Sequence, residues 1–358
     1  MRVAVLGAGN GGCATAFDWA QHGHEVRLWS PPGFDQAIAG IREAGGLTST
    51  GDLEGTVELA WVGTDIAAAV AGADLVFVVG PAYSTEPIAR AVGPHLTPDM
   101  TVVLNPGSCG GAIAFRRALD LPADAPGPLV GETSTLPYAV RLTGPASLTV
   151  YLKLRAGLYV ATLPRQRAAG LAEVLGEVWP GIEPASSVFQ TTLQNGNPVI
   201  HPAVTLLNAG LVERTRGDFL FYEQGVTPGV GRLIEGVDAE RLAIARALGV
   251  PVLSEPGVGV LQGYMTDENY STGYSEAPGF LGIKAQGDLD HRYLTEDIGY
   301  GLVLLTDLGR ALGVPTPTMD AVIQLGSVVL GRDFRAEGAR TLAGLGLAGL
   351  TASELIAL

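Results

Sequence analysis

Four glycines near the N-terminus constrain the fold of this chain more than any other feature. The apolar segment Val3–Leu6 runs directly into Gly7-Ala8-Gly9-Asn10-Gly11-Gly12, which fits the pattern G-x-G-x-x-G. In a strand–turn–helix unit the first glycine permits the tight turn, the second lets a pyrophosphate approach the backbone, and the third lets the helix pack on the strand. The N–H groups at the start of that helix attract phosphate. The segment predicts a dinucleotide-binding turn formed by Gly7, Gly9, Asn10, Gly11 and Gly12.

Short strands alternate with helices over the first half of the chain. Strands are expected at Val3–Leu6, Glu25–Trp29, Leu75–Val79 and Thr101–Leu104, and helices at Cys13–His22, Thr64–Ala71 and Pro87–Val92. Strands separated by helices form a parallel, doubly wound sheet. We therefore expect an α/β dinucleotide-binding domain over residues 1–185.

The second half shows a different pattern. Apolar residues recur at helical spacing in Ala203–Arg214, Asp238–Leu248, Gly301–Leu312 and Met319–Leu330. Pro251–Asp290 instead holds many glycines and scattered tyrosines without a clear period, which indicates loops over a site. We expect a mainly α-helical domain over residues 186–358 that binds substrate and carries catalytic groups.

Composition excludes several classes of function. The 358 residues are 47% hydrophobic and 16% charged, which suits two buried cores, and the net charge of −14 disfavours nucleic acid. Cys13 and Cys109 are the two cysteines, so neither a disulfide framework nor a metal-ligand set is expected. The sequence has no apolar run long enough to span a bilayer, and its N-terminal strand differs from a signal peptide. We expect a cytoplasmic protein.

The end of the second strand bears on the choice between NAD and NADP. A carboxylate at this place binds the ribose 2′-hydroxyl and repels a 2′-phosphate. Ser30 stands there, and its hydroxyl does not exclude the phosphate. No arginine follows immediately, and Asp35 is within reach of a ribose. The pattern favours NADP slightly over NAD.

Two further turns follow strands of the same sheet. They are Gly80-Pro81-Ala82 and Asn105-Pro106-Gly107-Ser108. Because ligands bind beyond the carboxyl ends of strands in open α/β sheets, we expect Gly80, Pro81, Asn105 and Gly107 to line the coenzyme. The alternative is that both are ordinary proline–glycine turns.

One of the five histidines stands out. His201 precedes Pro202, where a helix starts or kinks, and lies seven residues before Asn208 on an otherwise apolar segment. A polar pair on an apolar helix is costly unless it is satisfied or used. We expect His201 to act as an acid–base group and Asn208 to contact substrate, with a satisfied core histidine as the alternative.

A second polar cluster lies at Asp290–Asp297. Arg292 is suited to gripping a carboxylate in bidentate fashion, and Asp297 to holding a histidine in one tautomer. The alternative is that Glu296 and Asp297 only favour the start of a helix. We interpret His291, in the same cluster, as a solvated loop residue.

These segments together resemble the opine dehydrogenase family, most closely its bacterial N-(1-carboxyethyl)-norvaline dehydrogenase type. The likeness runs through nearly the whole chain. It is carried by Gly7-Ala8-Gly9-Asn10-Gly11-Gly12, Asn105-Pro106-Gly107, Gly131-Glu132-Thr133-Ser134, His201-Pro202, Leu206-Leu207-Asn208-Ala209, Gly225-Val226-Thr227-Pro228, Val237-Asp238-Ala239-Glu240-Arg241, Arg292-Tyr293, Glu296-Asp297 and Val314-Pro315-Thr316-Pro317.

The resemblance implies an N-terminal Rossmann domain, a helical C-terminal domain and a substrate site in the cleft between them. It implies that a 2-oxo acid such as pyruvate condenses with the amino group of an amino acid and that the imine is reduced to a secondary amine. By this likeness His201 is the catalytic histidine, Asp297 its carboxylate partner and Arg292 the group that binds the oxo-acid carboxylate. Thr133 and Ser134 correspond to a stretch near substrate and nicotinamide.

The resemblance also implies a homodimer, and it has one visible departure. By this likeness, Ser30 stands at the position where the norvaline-type enzyme has an aspartate, and this departure puts a preference for NAD in doubt. The residues that select the amino partner are expected within Pro251–Asp290, where the likeness is weakest.

Two other functions remain open. A related two-domain dehydrogenase of a hydroxy acid or polyol phosphate commonly depends on a lysine in the helical domain, and Lys284 is a weak candidate there, Lys153 being the other lysine. A nucleotide-sensing protein without chemistry is the non-enzyme alternative. Measuring whether NAD(P)H consumption needs the oxo acid alone or both the oxo acid and an amine separates the three functions. A requirement for both supports the opine dehydrogenase function.

Overall fold

The computed structural model describes residues 1–119 and 127–358, and the chain within it divides into two units. These are Met1–Val188 and Phe189–Leu358. The division falls close to the domain boundary expected between residues 185 and 186. No helix of the described residues is both long and apolar enough to cross a membrane.

The described part of the first unit contains two β-sheets. Its strands are β1 (Arg2–Leu6), β2 (Glu25–Trp29), β3 (Gly46–Gly51), β4 (Gly55–Glu58), β5 (Trp61–Gly63), β6 (Leu75–Val78), β7 (Thr101–Leu104), β8 (Leu129–Thr133), β9 (Tyr138–Gly144), β10 (Ser147–Lys153), β11 (Leu158–Leu163) and β12 (Ile182–Pro184).

The larger sheet has the strand order β12-β11-β8-β7-β6-β1-β2-β5. All neighbours from β8 to β5 are parallel, whereas β11 runs antiparallel to β8. All four residues of β6 are buried, as expected for a strand with helices on both faces. The order reverses between β1 and β6, so the predicted doubly wound sheet is confirmed, together with the switch point at which such sheets bind ligands.

The smaller sheet, of order β4-β3-β10-β9, is absent from the sequence-based expectations. Its strands are rich in threonine and glycine, and their exposed residues break up any apolar run. Such half-exposed strands carry a weak signal, because a search for apolar segments passes over them.

The helices of the first unit cover the larger sheet and connect its strands. They are α1 (Asn10–Gln21), α2 (Asp35–Ala44), α3 (Ile66–Val70), α4 (Thr85–Val92), α5 (Gly111–Ala118) and α6 (Ala168–Gly176), and α7 (Val188–Gln194) begins at the last residue of the unit. The first helix starts three residues before the expected Cys13, directly at the glycine turn.

A buried ion pair joins α1 to the smaller sheet. Asp18 of α1 is fully buried, and Nζ of Lys153 in β10 lies 2.8 Å from its Oδ2. The hydroxyl of Tyr138 in β9 donates to the same carboxylate at 2.7 Å and accepts a bond from Trp179 Nε1 at 2.6 Å. The helix that carries the glycine turn is thus fixed by charge as well as by apolar packing.

The described part of the second unit is helical. Its helices are α8 (Asn197–Leu207), α9 (Ala209–Thr215), α10 (Pro228–Leu248), α11 (Glu255–Gln262), α12 (Thr272–Ser275), α13 (Arg292–Glu296), α14 (Val303–Leu312), α15 (Pro317–Leu330), α16 (Phe334–Glu337) and α17 (Ala352–Ile356), with a π-helical segment at Asp297–Leu302.

Two expectations for this unit are wrong in detail. The helix expected over Ala203–Arg214 is broken at Asn208, which ends α8 and precedes α9. The segment Pro251–Asp290 is not all loop, because it contains α11 and α12. The glycines of α11 suggested a loop, yet a Cβ at Gly259 would lie 2.4 Å from the Met265 sulfur, so packing accounts for that glycine.

We predict that Asp18→Ala lowers the free energy of unfolding by about 3–5 kcal/mol, because it leaves the Lys153 ammonium buried without its partner. Urea denaturation measures the change. Glu86→Ala is the matched control, since it breaks the exposed Glu86–Arg90 pair on α4 and costs about 0.5 kcal/mol or less. Equal decreases in the free energy of unfolding of the two variants would contradict the stabilising role of the buried pair.

Candidate functional site

The glycine turn after β1 has two tightly packed glycines and one open glycine. Gly7 has φ +130°, and a Cβ there would lie 2.0 Å from the Val79 carbonyl oxygen. A Cβ on Gly12 would lie 1.6 Å from the Gly7 carbonyl oxygen. A Cβ on Gly9, by contrast, meets nothing within 4 Å. The chain therefore closes around Gly7 and Gly12 and leaves space above Gly9.

This open space suits the phosphates of a dinucleotide. Gly9 is the N-cap of the 12-residue helix α1, and the first turn of that helix has no acidic residue. The N–H groups and the positive end of the helix dipole are therefore presented beside an exposed glycine, at the switch point between β1 and β6. The residues present fit a dinucleotide coenzyme.

Asn10 and Gly11 support the turn from within the first unit. The side-chain oxygen of Asn10 accepts a hydrogen bond from the backbone N–H of Leu142 in β9 at 2.8 Å. A Cβ on Gly11 would lie 2.9 Å from the Leu136 side chain. Both residues stand at the expected place, and the observed contacts of Asn10 tie α1 to the smaller sheet.

Ser30, expected near the ribose, is buried. It is 2% exposed, and its hydroxyl lies 3.5 Å from the Phe34 carbonyl oxygen. Its position at the end of β2 is as predicted, but its hydroxyl points into the turn. What remains of the argument for NADP is the lack of a carboxylate at this strand end.

The turns after β6 and β7 also have well-packed side chains. Ser84 Oγ donates to the Pro81 carbonyl oxygen at 2.7 Å, and a Cβ on Gly80 would lie 2.4 Å from that Oγ. Likewise, a Cβ on Gly107 would lie 2.5 Å from the carboxyl carbon of Glu132. The glycines here allow close approach of neighbouring side chains.

A buried polar network connects Asn105 with the stretch expected near substrate. Asn105 is fully buried, donates to Thr15 Oγ1 at 3.2 Å and accepts a bond from Thr133 Oγ1 at 2.9 Å. Ser134, also buried, accepts a bond from the backbone N–H of Tyr159 at 3.1 Å. The observed contacts of these three side chains hold strand ends of the first unit together.

In the second unit the structure brings His201 and Asp297 into direct contact. Nδ1 of His201 lies 2.8 Å from Oδ2 of Asp297, and the two residues are 9% and 5% exposed. Nε2 lies 3.3 Å from the hydroxyl of Tyr222. Because a carboxylate only accepts, Nδ1 carries the proton, and Nε2 of the neutral ring is left as the acceptor. This arrangement can store and deliver one proton at Nε2.

Local structure explains how the two side chains meet. His201 lies in α8, which has Pro198 in its first turn and Pro202 inside it. Asp297 directly follows α13 as its C-cap and begins the π-helical segment. Such π-helical insertions often occur at functional sites, because they redirect side chains from the regular helical spacing.

Aromatic rings surround the imidazole, and sequence reasoning missed their role. Tyr293 stacks on His201 with ring centroids 3.9 Å apart, and Phe221 packs edge-on at 6.1 Å. Burial, before the charges around it, raises the pKa of Tyr222 well above its usual range, so its hydroxyl keeps its proton. The signal for Phe221 and Tyr222 was the aromatic run Phe219–Tyr222 in a chain with only 6% aromatic residues.

Arg292 lies at the first position of α13, close to this cluster. Its Nε is 2.9 Å from Oε2 of Glu296, whose side chain is 4% exposed, whereas 47% of the arginine side chain is exposed. The buried carboxylate holds the inner edge of the guanidinium. Arg292 is therefore oriented by the protein and accessible to an anion.

His291 is not the solvated loop residue expected. It caps α13 by accepting a hydrogen bond from the Tyr293 backbone N–H at 3.3 Å, and its ring packs edge-on against Tyr293. Burial and then the neighbouring Arg292 guanidinium lower its pKa. Its ring is therefore neutral at neutral pH.

Asn208 is not brought to the imidazole. Its amide donates to the carbonyl oxygens of Val204 and Gly225 at 2.8 and 2.9 Å. The expected common face is lost because α8 ends before Asn208. The observed contacts fasten the end of α8 to the loop before α10.

Neither lysine occupies a place suited to the alternative chemistry. Lys284 is largely exposed and pairs with Asp218 at the surface, while Lys153 belongs to the buried pair with Asp18. Over residues 1–119 and 127–358, no group of three or more His, Cys, Asp or Glu side chains is placed to hold a metal ion.

Comparisons with known proteins match both units. Residues 184–330 match the family described as NAD/NADP octopine/nopaline dehydrogenase, alpha-helical domain. Residues 2–106 match the family described as NAD-dependent glycerol-3-phosphate dehydrogenase N-terminus. The second match is confined to the dinucleotide-binding half, so it supports the coenzyme turn and not a polyol phosphate substrate.

Individual relatives extend over nearly the whole chain. The opine dehydrogenase of Arthrobacter sp. (strain 1C) is 39% identical, covering 98% of this chain and 97% of its own. Octopine dehydrogenase in complex with NADH and agmatine has a similar fold, with a TM-score of 0.80, 20% identity and coverage of 100% and 98%. Yersinopine dehydrogenase with NADP⁺ bound has a TM-score of 0.72, 18% identity and coverage of 99% and 96%.

We predict that Gly9→Val leaves the melting temperature unchanged and weakens NAD(P)H binding at least about tenfold. The added side chain meets no protein atom near Cβ but occupies the space where phosphate approaches, and one lost charge-assisted hydrogen bond costs about 1.5–3 kcal/mol. Fluorescence titration of NAD(P)H measures the affinity. Gly170→Val, at another open glycine, is the control, and unaltered affinity in Gly9→Val would contradict the assignment of the turn.

Proposed function

The chain belongs to the opine dehydrogenase family of NAD(P)-dependent oxidoreductases, and we propose that it condenses a 2-oxo acid such as pyruvate with the amino group of an amino acid and reduces the imine to a secondary amine dicarboxylate. The observation that carries this proposal is the buried contact of His201 with Asp297 beside the oriented Arg292. The octopine dehydrogenase structures with arginine and with pyruvate support these two substrate classes.

The proposed chemistry needs a group that handles one proton at the reacting carbon. Attack of the amine on the carbonyl carbon leaves a hydroxyl group on that carbon. Its loss as water, which gives the imine, requires a proton, and the Nε2–H of a protonated His201 supplies it. Asp297, hydrogen-bonded to Nδ1, then stabilises the positive charge of the ring and fixes its orientation. The Tyr222 hydroxyl, 3.3 Å from Nε2, holds that nitrogen in line until substrate takes its place.

Arg292 is proposed to bind the carboxylate of the oxo acid. A guanidinium offers paired N–H groups that match a carboxylate, and the Glu296 contact holds it in one orientation. The carbonyl carbon next to that carboxylate is thereby fixed with respect to His201, which belongs to the same unit.

The turn Gly7–Gly12 is proposed to hold the coenzyme, which supplies the hydride when bound. A preference for NADP over NAD is proposed because Ser30 brings no negative charge to the strand end, although Asp35 in the first turn of α2 opposes a phosphate nearby. Solved relatives carry either NADH or NADP⁺, so both coenzymes belong in any assay.

Four residues are proposed to hold neighbouring parts of the protein in position, namely Asn105, Thr133, Ser134 and Asn208. Their observed hydrogen bonds lead to neighbouring protein groups, so they fix the strand ends and the end of α8. A homodimer and a cytoplasmic location stay predictions that rest on the resemblance and on the sequence.

The function is tested by following NAD(P)H absorbance with pyruvate alone, with an amino acid alone and with both. We expect consumption only when both partners are present, and a higher kcat/KM with NADPH than with NADH. Isolation of the secondary amine by mass spectrometry completes the assay. Consumption with the oxo acid alone would instead support a hydroxy-acid dehydrogenase.

We predict that His201→Ala lowers kcat by about 10²–10⁴, the usual contribution of acid–base help, while the affinity for NAD(P)H stays unchanged. Steady-state kinetics and coenzyme titration measure the two quantities. His95→Ala, in the first unit, serves as the control. An unchanged kcat in His201→Ala would remove the proposed role.

A further inference from the structure

Glu255, the first residue of α11, carries a buried carboxyl group that the proposed chemistry does not use. The residue is 7% exposed, and in the described ranges 1–119 and 127–358 no group forms a hydrogen bond with its Oε2. A Cβ on Gly196 would lie 2.7 Å from Oε1, so the carboxyl group lies against the start of α8. A buried carboxyl oxygen without a partner is costly unless a ligand satisfies it.

The nearest charged neighbours do not balance this carboxyl group. Asp238 and Arg241 of α10 are fully buried and paired with each other, with Arg241 Nε donating to Asp238 Oδ1 at 2.6 Å. Arg241 also donates to the carbonyl oxygens of Leu193 and Leu253. One guanidinium thus faces two carboxyl groups, and its donors point at Asp238 and the backbone. When both carboxyl groups are ionised, the cluster therefore lacks one positive charge.

Tyr222 connects Glu255 with the imidazole. Besides burial and Tyr293, the charges of Glu255 and Asp297 raise the pKa of Tyr222, so both carboxyl groups lie within electrostatic range of its hydroxyl. That hydroxyl is the group 3.3 Å from His201 Nε2. The Tyr222 hydroxyl therefore lies beside the proposed proton donor and within electrostatic range of Glu255.

Phe280 extends the aromatic surface around Tyr222. It stacks on Tyr222 with centroids 4.2 Å apart and on Tyr264 at 5.3 Å. Aromatic rings attract ammonium and guanidinium groups. The surroundings therefore suit an organic cation.

We propose that the Glu255 carboxylate binds the positively charged group of the amino substrate, an inference that rests on the proposed function. The ligand class is an amino acid with a cationic group, bound either through a cationic side chain or through its α-ammonium group, which must then give up one proton before the amine attacks the carbonyl carbon. Both sources share the same ion pair with Glu255.

The electrostatics of the site agree with this role. Burial, followed by the nearby Asp238 charge, raises the pKa of Glu255 to about 8. Without a cation the carboxyl group holds a proton at neutral pH, and binding of a cation releases that proton. A purely structural role, in which Glu255 supports the start of α8, predicts no dependence on the amine.

The test compares Glu255→Gln with wild-type enzyme, using pyruvate with alanine and pyruvate with arginine. Glutamine keeps the size of the side chain and removes its charge. We expect KM for the amino acid to rise about 10–100-fold, with KM for pyruvate and for NAD(P)H unchanged, because a charge-assisted hydrogen bond is lost. Glu235→Gln, on the exposed part of α10, is the matched control.

The dependence on pH provides a second readout. The ratio of the amino-acid KM values, variant over wild type, should be near unity at about pH 6 and reach its maximum above a pH of about 8, where Glu255 is ionised. Taking the ratio cancels ionisation of the substrate. The facing groups are Asp238, Arg241, Tyr222 and Tyr270, and both tyrosine pKa values are raised, so these hydroxyls stay neutral throughout.

Each outcome decides one question. If Glu255→Gln raises KM for both amino acids, Glu255 binds the α-ammonium group. If it raises KM for arginine alone, Glu255 binds the cationic side chain. Unchanged KM for both, or a change in melting temperature alone, overturns the role of Glu255 while leaving the proposed function intact. Failure of the proposed function is seen separately, as wild-type consumption of NAD(P)H that does not need an amine.

Discussion

One buried hydrogen bond, between the His201 imidazole and the Asp297 carboxylate, sets the arrangement of the second unit. The two residues are 96 positions apart, so α8 and the π-helical segment must pack in one register for the bond to form. Tyr293 and Tyr222 fill the space around the ring, and Arg292 begins the helix that Asp297 follows. The aromatic rings and the guanidinium of the proposed site are thus arranged around this contact.

The glycine turn and the larger sheet could be predicted from sequence because their requirements are local. Gly7 and Gly12 are each needed for a contact with the adjacent backbone, and a fully buried strand such as β6 has an unbroken apolar run. The smaller sheet could not be found in this way, since its half-exposed strands alternate with polar residues and pair over long separations.

In the site, the sequence indicated which residues matter better than it indicated which groups their side chains contact. Local pattern singled out His201, Arg292 and Asp297, and the resemblance assigned their joint roles, because spacing alone does not pair residues so far apart. Ser30 was placed correctly at a strand end, but the inward direction of its hydroxyl depends on tertiary packing. Tyr222 belongs to a visible aromatic run, but its contact with His201 depends on tertiary packing, and Glu255 had no local signal because its surroundings come from other helices.

The attachment of α1 to the smaller sheet has a consequence for how this enzyme can change. Asn10 at the start of the helix and Asp18 farther along it are both bonded to that sheet, through Leu142, Tyr138 and Lys153. The helix that presents its N–H groups to phosphate is therefore held at two points by residues far along the chain. Changes in β9 or β10 are therefore expected to alter coenzyme affinity, and grafting the glycine turn alone onto another sheet would transfer the motif without its support.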